Sequence, residues 1–148
     1  MYKILDNLAT HGIAYNNNTY YISKKRVSEE ELLTFYEATD DDGKKWLIVD
    51  ARILSDYELN DLQDYLALID TSSRLLNQDH SILICCGAGI SRSNAIALGV
   101  LIKHFKMEFY AALELIQRKV PICNIDPLHI MALKEIFNLV VENSTYGL

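Results

Sequence analysis

ILICCGAGISRSNA, Ile82 to Ala95, decides how the chain folds and what chemistry it carries. Ile82 to Cys85 is an apolar run of strand length, and Ala95 to Phe105 is apolar on nearly every side, as a central helix buried by its neighbours must be. Between them lies a short turn with two glycines. Such a turn serves either a glycine-rich loop approaching a dinucleotide or a cysteine loop holding an anion. The dinucleotide reading fails at its third glycine, because Arg92 stands there and would block the close helix–strand packing that the glycine permits. The Gly-Lys-Ser/Thr of a nucleotide-phosphate loop is absent as well.

The cysteine count has a mechanism behind it. Five residues, Gly87, Ala88, Gly89, Ile90 and Ser91, separate Cys86 from Arg92. A loop of this length turns successive backbone N–H groups inward as an anion nest, and the following helix adds its positive end. Gly87 and Gly89 allow backbone conformations that other residues resist, and the planar fork of Arg92 matches two phosphoryl oxygens. The same field favours thiolate at Cys86, so nucleophile and anion hole are built together. Counting from Cys85 leaves six residues before the arginine, which makes Cys86 the nucleophile. Strand alternation turns Cys85 away from the nest into packing.

Outward from this unit, the chain reads as strands alternating with helices. Thr19 to Ser23 is expected as a short strand after the loop HGIAYNNN. Ser28 and Glu31 form a capping box before the helical stripe Leu32, Leu33, Phe35 and Tyr36. ATDDDGKK is a polar turn, and Trp46 to Val49 a buried strand. From Asp56, the residues Leu59, Leu62, Leu66, Ile69 and Leu76 fall at helical spacing. Amphipathic helices are expected at Glu108 to Arg118 and Leu128 to Val141. The implied class is α/β, with a central, mostly parallel sheet covered by helices on both faces.

The whole chain is consistent with one domain over residues 1–148, and 50% apolar residues suffice for a core. A net charge of -6, with acidic residues concentrated from Glu29 to Asp64, disfavours an extended nucleic-acid surface. MYKILDNLATHG lacks the apolar core of a signal peptide, and Ala95 to Ile102 is too short to span a bilayer. The expectation is a soluble, cytoplasmic protein without membrane or nucleic-acid partners. Cys85, Cys86 and Cys123 have no C-x-x-C spacing, so reduced thiols and no metal or cofactor are expected. Cys85 or Cys123 could trap an oxidised Cys86 as a disulfide. The histidines, His129 among them, read as surface or packing groups.

AGISRS at Ala88 to Ser93 resembles the loop of dual-specificity protein phosphatases, in the cysteine-dependent protein tyrosine phosphatase superfamily. AALELI and VPICNIDP resemble the family's late helix and its Arg-Pro-Ile-x-Asn-Pro-Asn-Pro connection, so the likeness runs from Asp56 to Phe137. It implies a protein-tyrosine-phosphatase-like fold with about four to five strands. It also implies a phosphoprotein substrate and a phosphocysteine on Cys86. Arg92 and the amides of Gly87, Ala88, Gly89, Ile90 and Ser91 would bind the phosphate, and Ser93 would stabilise the departing thiolate. The family's general acid is an aspartate entering a helix. Ile53-Leu54-Ser55-Asp56, with Leu62 six residues on, fits it. Asp50 is the reserve acid, and either aspartate could instead be structural, Asp56 as a helix cap. Cys85 stands where the family has histidine, Val120 where it has arginine, and Asp126 where it has its second asparagine.

Three rivals remain. RVSEEELLTFYEATDDDGKKWLIVDARILSDYE resembles a rhodanese opening but lacks its Gly-His-Ile-Pro and late glycine pair. Asp126-Pro127 resembles the acid of low-molecular-weight phosphatases, whose cysteine loop follows the first strand instead. A phosphate-binding pseudophosphatase would use the same nest without turnover. The loop interior has no lysine, which disfavours a polyphosphorylated inositol lipid.

Overall fold

A computed structural model describes residues 1–12, 21–23 and 36–139. In chain order they form β1 (Tyr2–Leu5), β2 (Leu8–Gly12), β3 (Tyr21–Ser23), β4 (Tyr36–Thr39), β5 (Lys45–Asp50), α1 (Leu62–Asn77), β6 (Ile82–Cys86), α2 (Arg92–Lys103), α3 (Phe109–Lys119) and α4 (Pro127–Ile136). The strands make one sheet in the order β1-β2-β6-β5-β4-β3. Its centre is parallel, with β6 between β2 and β5, whereas the outer pairs are antiparallel. The expected α/β architecture is therefore present, but the sheet is mixed and not mostly parallel: among the described residues it has six strands, with two parallel and three antiparallel pairings.

Every residue of β6 is buried, because a central strand is covered on both faces and needs apolar side chains on each. Ile82, Ile84 and Cys86 join the core that contains residues of α1, α2, α3 and α4. Leu83 and Cys85 point the other way, into a smaller cluster with Ala9, Ala38, Trp46 and Ile48. Trp46 is fully buried, yet its indole N–H reaches Asp40 Oδ2 at 3.0 Å. That bond, more than the N–H groups of Lys44 and Asp42, holds the Asp40 carboxyl below its ordinary range.

Some expected elements differ. Tyr2 to Gly12 folds as a hairpin whose second strand adds to β6, where the sequence showed no strand. Tyr36 opens β4 instead of ending a helix, so the polar turn after it joins two antiparallel strands. Asp40 Oδ1 closes that turn by accepting from the N–H groups of Asp42 and Lys44. Tyr21–Ser23 is a strand as expected, while Thr19, Tyr20 and the capping box at Ser28 lie outside the described residues. Helix α1 starts at Leu62 and not near Asp56, because Asp61 is its cap, accepting from Gln63 N at 2.9 Å. Leu59 consequently sits in a loop, 87% exposed. Residues 140 and 141 of the last expected helix lie outside the described residues. No helix among the described residues is long and apolar enough to cross a membrane.

One consequence concerns acid stability. His11 pairs in register with Cys85, and burial pushes its imidazole down to about 4 from an ordinary 6.5. A depressed imidazole binds its proton more readily when unfolded, so its contribution is complete above the ordinary value and is lost as the pH falls toward about 4. Because the ring is partly exposed, screening limits the effect to about 1 kcal/mol. Urea midpoints at about pH 7 and about pH 5 should therefore fall further for the wild type than for His11→Gln. Equal slopes would remove His11 as the cause.

Candidate active site

Cys86 ends β6, residues 87–91 turn, and Arg92 opens α2. The turn is fixed by backbone contact. Gly89 has φ +74°, and a Cβ there would lie 2.6 Å from Gly12 N. Conversely, a Cβ on Gly12 would lie 2.5 Å from the carbonyl carbon of Ala88, so β2 and the loop meet where neither can carry a side chain. Gly87, the other loop glycine, is not among the residues with positive φ.

Polar contacts brace the same loop from two further sides. Asn94, fully buried in α2, donates to Gly89 O at 3.1 Å and Ile90 O at 3.0 Å. Its own oxygen accepts from Thr10 Oγ1 at 2.9 Å. From the connection before α4, Asn124 N–H reaches Ile90 O at 3.0 Å, and Asp126 N–H reaches Ser91 Oγ at 2.9 Å. The Ser91 side chain thus ties the loop to that connection, and Val120 and Asp126 do not prevent the connection from supporting it. Gly12, Thr10 and Asn94 were not singled out by the sequence. Only Asn94, a polar residue inside an apolar helix, carried a local signal.

Cys86 Sγ is 2% exposed by residue and lies 3.3 Å from Ser93 Oγ. Gly89 N–H donates to it at 3.3 Å. The sulfur therefore meets a loop amide, a hydroxyl and the N-terminal end of α2, a setting that favours negative charge. Cys85, on the opposite face, is fully buried, and burial pushes its thiol far up. Burial likewise raises the Cys123 thiol to about 11. The suggested disulfide trap finds no support at Cys85, since strand alternation separates it from Cys86.

Arg92 anchors Nη1 on Leu54 O at 3.1 Å and holds Nε 3.7 Å from Asp56 Oδ2. That Nε is buried and has no hydrogen-bond partner among the described residues. Asp56 thus lies beside the arginine, on the loop before α1. Asp50 does not. It extends from β5 toward the Cys85 face and is gripped by Arg52 Nε, 3.0 Å from both oxygens, and Nη2 at 2.7 Å. With Asp61 as the α1 cap, the cap-only role for Asp56 also disappears.

The Asp56 loop is itself held. Tyr57 has φ +62° and donates its N–H to Asp126, whose other oxygen accepts from Leu128 N at 3.1 Å and caps α4. Asn60 accepts from Ser55 N at 2.8 Å and returns a bond to Ser55 O at 2.9 Å. Behind Asp56 stands His129, fully buried, with Nε2 2.7 Å from Asp56 Oδ1 and Nδ1 2.7 Å from Tyr65 OH. His129 is therefore not the packing group expected. Placing Asp126 at the N-cap would have put His129 on the facing third helical position, the one signal available.

Asp56, Asp126 and His129 bring ligand atoms within 4.8 Å of one another. Apart from Asp56 Oδ2, which faces Arg92 Nε at 3.7 Å, their polar atoms are engaged by Tyr57, Leu128, Tyr65 and the bond between Asp56 and His129.

No protein-family model matches the chain, and no curated protein matches it by sequence. Solved structures do match. A leucine rich repeat and phosphatase domain containing protein from Entamoeba histolytica aligns with a TM-score of 0.52 at 22% identity, over 60% of this chain and 61% of that one. Tk-PTP in its active form gives 0.52 at 20%, over 59% of each chain. PTPMT1 in complex with PI(5)P gives 0.52 at 20%, over 57% of this chain and 55% of that one. The chain covers less than two thirds of the length of these structures. At such identities the likeness is one of fold alone, an α/β fold with a mixed sheet flanked by helices.

Proposed function

We propose that the chain is a phosphoric monoester hydrolase of dual-specificity type, acting on phosphotyrosine and on phosphoserine or phosphothreonine in proteins. One observation carries this reading: a cysteine sulfur bonded by its own loop is followed by an arginine whose buried Nε has no hydrogen-bond partner among the described residues. A phosphoryl oxygen is the acceptor that such a guanidinium lacks.

In this mechanism the thiolate of Cys86 attacks phosphorus while the bond to the leaving oxygen breaks, and Asp56 gives that oxygen its proton. The amides of Gly87 to Ser91 and the fork of Arg92 take up the charge on the transferred group. Water then attacks phosphorus and yields its proton to the Asp56 carboxylate. The S–P bond breaks, phosphate leaves, and the Ser93 hydroxyl donates to the returning thiolate. No metal or cofactor is required by these steps. A protein substrate is favoured by exposed apolar side chains on the segments that carry the site, Ile53 and Tyr57 beside Asp56, Ile90 in the cysteine loop and Ile122 in the connection that supports it, and by the lack of lysine in the loop.

The test is product analysis on the wild type. p-Nitrophenyl phosphate should give nitrophenolate and inorganic phosphate in equal amounts, with orthovanadate inhibiting. Thiocyanate from thiosulfate and cyanide without phosphate release would establish a rhodanese-like sulfurtransferase instead. Phosphopeptide binding without turnover would establish a pseudophosphatase.

A further inference from the structure

Asp56 reaches from its loop to a fully buried histidine. Asp56 sits on an exposed loop, yet it meets His129 across 73 residues of sequence at 2.7 Å. The polar atoms behind it form one line. Asn60 Oδ1 accepts from Ser55 N, so its amide nitrogen faces Tyr65, and Asn60 Nδ2 donates to the phenol oxygen at 3.1 Å. Tyr65 must then direct its own proton at His129 Nδ1, 2.7 Å away. Burial, opposed by Asn60 and reinforced by the carboxylates of Asp126, Asp56 and Asp64, raises the phenol above its ordinary range, so it keeps that proton at neutral pH. With Nδ1 accepting, the imidazole carries its hydrogen on Nε2 and donates to Asp56 Oδ1.

We infer that His129, oriented by Tyr65 and Asn60, is the positioning residue for the general acid: it occupies Oδ1 of Asp56 and reserves Oδ2 for the transferable proton. This rests on the reading of Asp56 as that acid. Among the described residues, the charged and titratable groups facing His129 are Tyr65 from α1, Asp56 from the loop and Asp126 at the cap of its own helix, with Arg92 of α2 beyond Asp56. Of these, Arg92 competes for Asp56, since its Nε lies 3.7 Å from Oδ2. Without the bond to Nε2, the carboxylate is free to turn both oxygens onto the guanidinium, away from a leaving group. A general acid is effective only when its proton lies in reach of the departing oxygen, so loss of orientation acts on that one step.

The experiment separates the acid step from everything else by leaving group. Wild type, His129→Phe, His129→Gln, Tyr65→Phe and Asp56→Asn are compared on phenyl phosphate, whose leaving oxygen needs a proton, and on a difluorinated umbelliferyl phosphate, whose leaving group departs as the anion. Circular dichroism and thermal melting accompany each variant. His129→Phe should lower kcat on phenyl phosphate about tenfold or more and leave the fluorinated substrate nearly unchanged. His129→Gln, which keeps an N–H near the place of Nε2, should recover most of the loss. Tyr65→Phe, which keeps the ring's packing, should show a smaller loss of the same selectivity. His129→Phe combined with Asp56→Asn should be no worse than Asp56→Asn alone. Equal losses on both substrates, or no loss on either, would overturn the inference while selective loss in Asp56→Asn leaves the acid assignment standing. If Asp56→Asn is itself unselective, the acid assignment falls and the inference with it.

Discussion

Cys86→Ser is expected to lower hydrolysis of p-nitrophenyl phosphate by about 10⁴-fold or more, about 5.4 kcal/mol of barrier, while tungstate still binds. The substitution exchanges sulfur for oxygen at a position 2% exposed, so the loop braced by Gly12, Asn94 and Asn124 has no cause to move. What changes is the nucleophile. A serine hydroxyl is a far weaker acid than a thiol and needs a base to take its proton. Around Cys86 Sγ the described contacts are an N–H donor, Gly89, and a hydroxyl, Ser93, groups that stabilise an anion once formed but do not make one. Steady-state assay with calorimetric titration of tungstate checks both halves. Cys85→Ser, on the other face of β6, serves as the control and should keep nearly full activity. Turnover surviving in Cys86→Ser would remove the phosphocysteine mechanism.

The same residues show where sequence reasoning reaches and where it stops. β6 is legible because a strand covered on both faces permits only apolar residues, and ILICC says so without help from the rest of the chain. The cysteine-to-arginine spacing is legible because a loop of five residues closes locally between β6 and α2. Asp56 and Asp50 were harder to separate: the choice depends on which face of the sheet each side chain leaves from, and only pairing of Asp50 with Cys85 reveals it. β2 was hidden because Thr10, His11 and Gly12 owe their burial and register to β6, more than 70 residues away. Gly12 illustrates the point, since nothing nearby in sequence explains why it must lack a side chain, and the backbone of Ala88 does. His129 was passed over for a related reason. Its partners Tyr65 and Asp56 lie on α1 and on the loop before it, and no helical spacing joins them.

Arg92→Lys is expected to reduce kcat/KM about 10² to 10³-fold and to weaken tungstate binding at least about tenfold, despite keeping the positive charge. In the proposed mechanism the guanidinium performs two tasks at once: Nη1 is committed to Leu54 O at 3.1 Å, which leaves the buried Nε and the remaining edge of the fork for an anion. An ammonium is a single point of charge and cannot hold the carbonyl and two phosphoryl oxygens together. Arg92→Ala should lose more activity and also stability, because Leu54 is only 1% exposed and its carbonyl would lose its donor. An unsatisfied buried carbonyl costs about 1 to 3 kcal/mol, which denaturant titration resolves. If the arginine acted only as bulk charge near the loop, lysine would restore both binding and rate. Near wild-type activity in Arg92→Lys would therefore reject forked phosphate recognition, whereas a deep loss in both variants, with destabilisation confined to alanine, follows directly from the two-sided grip of the guanidinium.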